Sequence, residues 1–266
     1  TGLCGTCMDA RGLSEEQITI APNGDFIHVH LTVKQAEKLL RTKYFHYMHE
    51  LTGHATVRAD EYRLPAHVAE VVDYVTATNM FPSLRPRREF TAVKMNKEGG
   101  FPSGYVTPSI LFSYYNINPM EVDTNASQSV FESLAQSYNP SDLTQFQQGM
   151  NVSVQAAAQV IGPNTPSACA QNPDNCVEAS LDIEYIMAVA QGAPTTFWSI
   201  DQNDQSPYLD FLLAIAADLN PPLVHSISYG EIEQESDPTV MKRFNEEAMK
   251  LGARGITVVI ASGDDG

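Results

Sequence analysis

The chain has 266 residues, 43% of them hydrophobic, and a formal charge of −16 at pH 7, which is enough apolar content for one large domain or two smaller ones. No apolar run approaches the ~20 residues that a membrane span needs, and the acidic balance makes nucleic acid a poor partner. The first residue is Thr1 rather than a methionine followed by a signal sequence, so the chain is expected to begin inside a longer precursor.

The charge divides unevenly. Residues 1 to 88 hold ten Lys/Arg and ten Asp/Glu, whereas residues 89 to 266 hold six against 22, with no Lys or Arg between Lys97 and Met241. Carboxylates crowded without cations repel one another at neutral pH and cease to do so as they protonate, which suits an acidic compartment. An acidic surface that merely aids solubility is the ordinary alternative. Six of the seven histidines, His28, His30, His46, His49, His54 and His67, lie in the first segment, which would become cationic near pH 5 to 6. If that protonation loosens the first module, removing these histidines should lower the pH at which the precursor matures.

In chain order, residues 17 to 30 alternate around the turn Pro22-Asn23-Gly24-Asp25 and predict a hairpin. Thr32 is placed to cap a helix through Val33, Ala36, Leu39 and Leu40. Tyr44 to Met48 and Thr52 to Arg58 predict a strand pair, and a second helix is expected from Leu64-Pro65 to near Thr78. Together these make a small α+β module. Cys4 and Cys7 form half a zinc motif that His28 and His30 could complete, but half a motif near a terminus is usually nothing.

From Asn79 to Gly104 proline, glycine and charge replace periodicity, as in a linker. Arg85, Arg87 and Arg88 within it read equally as a basic processing site or as solvated charge.

Long helices then alternate with short apolar strands. Helices are expected over 131–138, 140–150, 176–191, 208–219 and 239–252, and strands over 195–200, 224–229 and 256–261, with 152–161 a strand or loop. Such units favour a parallel sheet covered by helices on both faces. Cys169 and Cys176 bracket a polar loop that a disulfide would close in an oxidising compartment, two free thiols being the alternative. Asn125-Ala-Ser127 and Asn151-Val-Ser153 fit the glycosylation sequon, which recurs often by chance.

Glu178 and Asp182 stand four residues apart, hence one turn apart on one helical face, with no cation near in sequence. One such acid tends to keep its proton to higher pH, and a carboxyl pair can take a proton from a hydroxyl and return it to a leaving amine. Spacing alone favours the plainer reading of a solvated face. Asp264 follows an apolar strand in Ala-Ser-Gly-Asp, where a buried acid can support an oxyanion and where a simple turn is equally ordinary. His225-Ser226-Ile-Ser228-Tyr229-Gly230 ends another strand at the same expected edge.

The strings Glu-Ala-Ser-Leu-Asp, Ser-Ile-Ser-Tyr-Gly and Ala-Ser-Gly-Asp, in this order and at these separations, resemble the sedolisin family of serine-carboxyl peptidases and its tripeptidyl-peptidase branch. The run Leu31 to Leu40, Tyr62-Arg-Leu-Pro65 and Val72-Asp73-Tyr74-Val75 resemble the end of that family's propeptide. Thr107-Pro108-Ser109 followed by Tyr114-Tyr115-Asn116 resembles the start of its mature enzyme. The similarity covers all but about the first 15 residues.

The resemblance implies an α/β fold with a subtilisin-like parallel sheet, incomplete here, after a small α+β propeptide module. Residues 1–88 would end the activation propeptide, 89–103 would be the linker and processing region, and 104–266 the first half of the peptidase domain. Glu178 would be the general base and acid, Asp182 its support and Asp264 the oxyanion acid, while Ser228, Tyr229 and Gly230 would line the substrate cleft. The expected partners are peptide or protein substrates and the chain's own propeptide as inhibitor, in a lysosomal, vacuolar or secreted setting. Calcium is implied by the family, with its ligands outside this chain.

The family's nucleophile lies in a Gly-Thr-Ser-Ala-Ser type motif, and no such string occurs here. Residues 1–266 made alone are therefore expected to be inactive, with an uncovered sheet edge and poor solubility. The rivals are a non-catalytic, peptide-binding relative and a glycosidase using Glu178 and Asp182; no aromatic-lined sugar cleft is evident for the latter.

Overall fold

The computed structural model describes residues 13–48, 50, 55–79, 81, 104–119, 123, 125–201, 206–230 and 237–262. The chain divides into two compact units. One joins Thr1–Leu84, Tyr208–Leu219 and Glu233–Glu247; the other joins Arg85–Pro207, Asn220–Ile232 and Ala248–Gly266.

In the first unit β1 (Ile18–Ile20) and β2 (Ile27–Val29) pair antiparallel around the expected turn, with Ile18 opposite Val29. Helix α1 (Val33–Leu40) starts at Thr32 through a reciprocal cap. The Thr32 hydroxyl accepts from the Gln35 N–H at 3.3 Å, and the Gln35 side-chain oxygen accepts from the Thr32 N–H at 3.0 Å. Strands β3 (Tyr44–Met48) and β4 (Ala55–Ala59) form a second antiparallel pair.

The helix expected from Pro65 to Thr78 is a single turn, α2 (Ala66–Ala69). Val68, Val71, Val72, Val75 and Thr76 lose side-chain freedom in a helix, and this β-branched density accounts for the early stop. Helix α7 (Pro207–Ala217) from Tyr208 onward and the part of α8 (Pro238–Ala253) up to Glu247 belong to this unit. Among the described residues no helix is long and apolar enough to cross a membrane.

The second unit is built on a five-stranded, all-parallel sheet, as counted among the described residues. It contains β5 (Gln128–Glu132), β6 (Gln159–Ile161), β7 (Thr195–Ser199), β8 (Val224–Ile227) and β9 (Thr257–Ile260), in the order β6-β7-β5-β8-β9. Every residue of β5 and β7 is buried, as in a parallel sheet covered on both faces. Strand β9 is an edge with Val259 and Ile260 exposed.

This is the α/β class that the alternation of elements implies, consistent with a subtilisin-like fold. One element differs: residues 128–132 are a strand where a helix over 131–138 is expected. Phe131 is wholly buried inside the sheet, and Leu134 and Ala135 turn left-handed at φ 54° and 59°. Their 3.6-residue spacing mimics a helix that this backbone cannot continue.

Helix α3 (Pro108–Tyr115) precedes the sheet, with Pro108 in its first turn and Asn116 ending it at φ 54°. The Tyr185 hydroxyl donates to the Val106 carbonyl at 2.6 Å, tying the approach to α3 onto α6 (Val177–Val189). Asn139 caps α4 (Pro140–Gly149) by accepting from the Ser141 N–H at 3.0 Å. Gly162, at φ 78°, faces the Ser199 carbonyl so closely that a Cβ there would collide with it.

The short helix α5 (Ser167–Gln171) leads to Cys176, which is joined to Cys169 by a disulfide. Helix α6 runs without glycine or proline and buries Ala179, Ile183 and Met187 against Val130, Phe197, Tyr138 and Leu143. Glu178 and Asp182 form the adjacent four-residue ladder, so packing of the apolar stripe aims the acids.

Candidate active site

The carboxyl ends of β5 and β8 are neighbours, and the chain crosses from one side of β5 to the other between β7 and β8. This is the topological switch point at which open α/β sheets gather ligands. Four side chains meet there. Glu132 ends β5 with no solvent exposure, Asp182 reaches in from α6, and Ser228 and Tyr229 follow β8. The Tyr229 hydroxyl donates to Glu132 Oε2 at 2.8 Å, and its ring stands edge-on to Phe131 at 5.5 Å.

Burial holds the Glu132 carboxyl well above the ordinary glutamate range. The charges of Asp182 and Glu178 add to this, and the Tyr229 hydrogen bond acts against it. Burial also pushes Asp182 up to about 6, while hydrogen bonds from Ser228 and Glu132 favour its charged form. Glu132 Oε1 and Asp182 Oδ2 are both buried, and neither meets an N–H or O–H donor among the described residues. A proton on either carboxyl would give the buried oxygens the donor they lack, and each carboxyl shifts the titration of the other. Tyr229 stays neutral, its hydroxyl raised by burial and by the Glu132 charge.

Glu178 lies in the first turn of α6, one turn before Asp182 on the same face, and its charge reaches Glu132 and Tyr229. The helix has no side-chain cap from its own Cys176. Gln136 takes that part from the segment after β5. Its side-chain oxygen accepts from the Glu178 N–H at 3.2 Å, and its amide donates to the Asp174 carbonyl at 2.8 Å. The left-handed turn at Leu134 and Ala135 thus carries the chain from Glu132 back to the start of the helix that bears Glu178. A pocket of about 330 Å³ opens beside Asp182, lined by Tyr185, Ile186 and Val189 of α6 and by Gln128 and Ser226 of the sheet.

The structure therefore joins Asp182 to Ser228, Glu132 and Tyr229, with Glu178 one turn away. Tyr229 is buried and engaged with Glu132, whereas Ser228 and Gly230 are partly open. His225 is fully buried, its Nδ1 2.6 Å from Ser129 Oγ on the adjoining strand, and so belongs to the sheet interior. Asn125 and Asn151 are exposed. Asp264, Arg85, Arg87, Arg88, Cys4, Cys7, His49 and His54 lie outside the described residues, and the other four early histidines are exposed.

Sequence reasoning missed Glu132 and Gln136. Glu132 follows Gln128-Ser129-Val130-Phe131, too short an apolar stretch to mark it, and Gln136 carries no local signal either, because its partners are 38 and 42 residues away. Among the described residues no three His, Cys, Asp or Glu side chains converge to hold a metal ion.

Residues 8–81 match the family described as Pro-kumamolisin, activation domain. The chain is 35% identical over 254 residues to tripeptidyl-peptidase 1 of Bos taurus, covering 91% of this chain and 44% of the relative. It is 33% identical over 252 residues to the Homo sapiens protein of the same name, with the same coverage. With the Dictyostelium discoideum protein of that name it shares 29% over 290 residues, or 94% of this chain and 47% of the relative. The chain spans less than half the length of these curated relatives.

Proposed function

Because the chain belongs to the sedolisin family, we propose that it is the activation module and first part of the peptidase domain of an acid-acting, tripeptidyl-peptidase-like enzyme. The observation that carries this reading is the relay of acids at the switch point, Tyr229 to Glu132 to Asp182 with Glu178 at its open end. A carboxylate can accept a proton in acid, where imidazole would be fully protonated and unable to act as a base.

In this reading a serine outside these 266 residues attacks the scissile carbonyl, and Glu178 accepts its hydroxyl proton as the new C–O bond forms. Asp264 donates a hydrogen bond to the oxyanion. Glu178 then returns the proton to the leaving amine as the C–N bond breaks, leaving an acyl-enzyme that water hydrolyses with Glu178 again as base. Asp182 supports Glu178, while Glu132 and Ser228 fix the orientation and charge of Asp182. Ser228 and Gly230 border the peptide.

Residues 1–88 serve as the intramolecular inhibitor, released by cleavage in the linker at Arg85, Arg87 or Arg88. The setting is lysosomal, vacuolar or secreted, with Asn125 and Asn151 glycosylated. Calcium is bound by residues outside this chain.

The test is to incubate the full-length protein at pH 4 and at pH 7 with peptides whose amino termini are free or acetylated, and to identify products by mass. Tripeptides released from free termini at pH 4 alone support the proposal. No cleavage at either pH, the outcome expected of a non-catalytic relative, overturns it.

A further inference from the structure

We propose that Arg243 on α8 is the catch by which the activation module is held, with the module's turn at residues 22–26 as its partner. This deepens the zymogen reading above and rests on it for the meaning of residues 1–88.

The turn is rigidly built. Gly24 sits at φ 75° and donates to the Ala21 carbonyl at 2.8 Å; Asp25 N–H donates to Asn23 Oδ1 at 3.2 Å; and Ala21 N–H donates to the Phe26 carbonyl at 2.9 Å. Asn23, Asp25 and Phe26 all engage one stretch of α8. Arg243 Nη2 stands 3.4 Å from Asp25 Oδ2, and the guanidinium carbon lies 4.9 Å from the centre of the Phe26 ring. Asn23 Nδ2 donates to Glu247 Oε2 at 3.2 Å across 224 residues of sequence, and Glu247 is buried.

Glu246 fixes the guanidinium from its own helix at 2.7 Å. A second part of the module converges on the same place: Tyr74, its hydroxyl buried, lies within the fields of Arg243, Asp210 and Glu247. An ordinary surface arginine would pair only along its helix. This one has an ion pair with Asp25 and a ring from Phe26, both far away in sequence, beside the buried Glu247 of its own helix, and its side chain is 18% exposed. It is also one of six cations among 22 acids in residues 89–266.

The consequence for the module is specific. β1 and β2 form a two-stranded sheet of three residues each, and such a hairpin is marginal when nothing packs on it. Its backbone protection therefore depends on the catch, and the β3–β4 pair, whose strands bond to each other over five residues each, is the comparison.

The experiment is hydrogen–deuterium exchange on the full-length precursor at pH 7, comparing residues 18–29 with residues 44–59. R243E and D25R should each speed exchange in 18–29 about tenfold and leave 44–59 unchanged. The double variant D25R/R243E should restore protection to within threefold of wild type. D25N, a near-isosteric change at a partly exposed turn, should speed exchange threefold or more and is read even if the reversals fail to fold. An increase below threefold in D25N, or a double variant no better protected than the singles, overturns the proposal. Exchange needs no turnover, so failure of the peptide assay would refute the peptidase reading and leave this result standing.

Discussion

The Tyr229 hydroxyl is bonded to Glu132 Oε2 at 2.8 Å, inside a sheet end where the glutamate has no access to water. That relationship makes Tyr229 a structural member of the acid relay. Tyr229→Phe would strip the donor from a buried carboxyl oxygen and should cost about 1–2 kcal/mol of stability. Urea unfolding of the full-length protein checks this; an unchanged midpoint would mean that the bond contributes nothing.

The buried acids set the sign of the pH dependence. Asp182 is raised from 3.8 to about 6 and the half-buried Glu184, by desolvation and the charge of Asp142, from 4.5 to about 8, with Glu132 raised as well. The folded chain holds these protons more tightly than the unfolded one. The resulting stability is therefore complete below about pH 4 and is lost as pH rises through about 6 for Asp182 and about 8 for Glu184. The melting temperature should be higher at pH 5 than at pH 8 by several degrees, and Asp182→Asn with Glu184→Gln should flatten the difference. A melting temperature that climbs from pH 5 to pH 8 would contradict the burial of these groups.

The disulfide between Cys169 and Cys176 closes a short loop immediately before the helix that carries Glu178 and Asp182. Closure of a loop this size is worth about 2 kcal/mol. Cys169→Ser with Cys176→Ser should lower the melting temperature by several degrees and speed amide exchange at the start of α6. Equal melting of the oxidised and doubly substituted proteins would remove the loop from any role in holding that helix.

Much of this was legible in the sequence because local signals and tertiary outcome agree. Thr32 caps where its neighbours predict, Val177–Val189 is a helix free of breakers, and the strands ending at Ser199 and Ile227 are short stretches carrying β-branched or aromatic residues. Disagreement occurred where non-local packing overrode local pattern. Phe131 reads as helical until the sheet buries it, and the residues after Val71 were read as helix from their apolar content although their β-branching opposed it. Glu178 and Asp182 stood out because they are close in sequence. Glu132 did not, because its partners Asp182 and Tyr229 are brought to it only by the parallel sheet. The catch at Arg243 was hidden for the same reason, since nothing in the pattern around residue 243 refers to residue 25.

Everything proposed for the chemistry turns on proton transfer by a carboxyl at position 178 backed by the buried relay. The direct measurement is kcat and KM for peptide hydrolysis at pH 4 by the full-length protein and its Glu178→Gln variant, each with its melting temperature. The expected result is a fall in kcat of about a thousandfold or more, with KM and melting little changed. A variant that keeps a tenth or more of the wild-type kcat would contradict it.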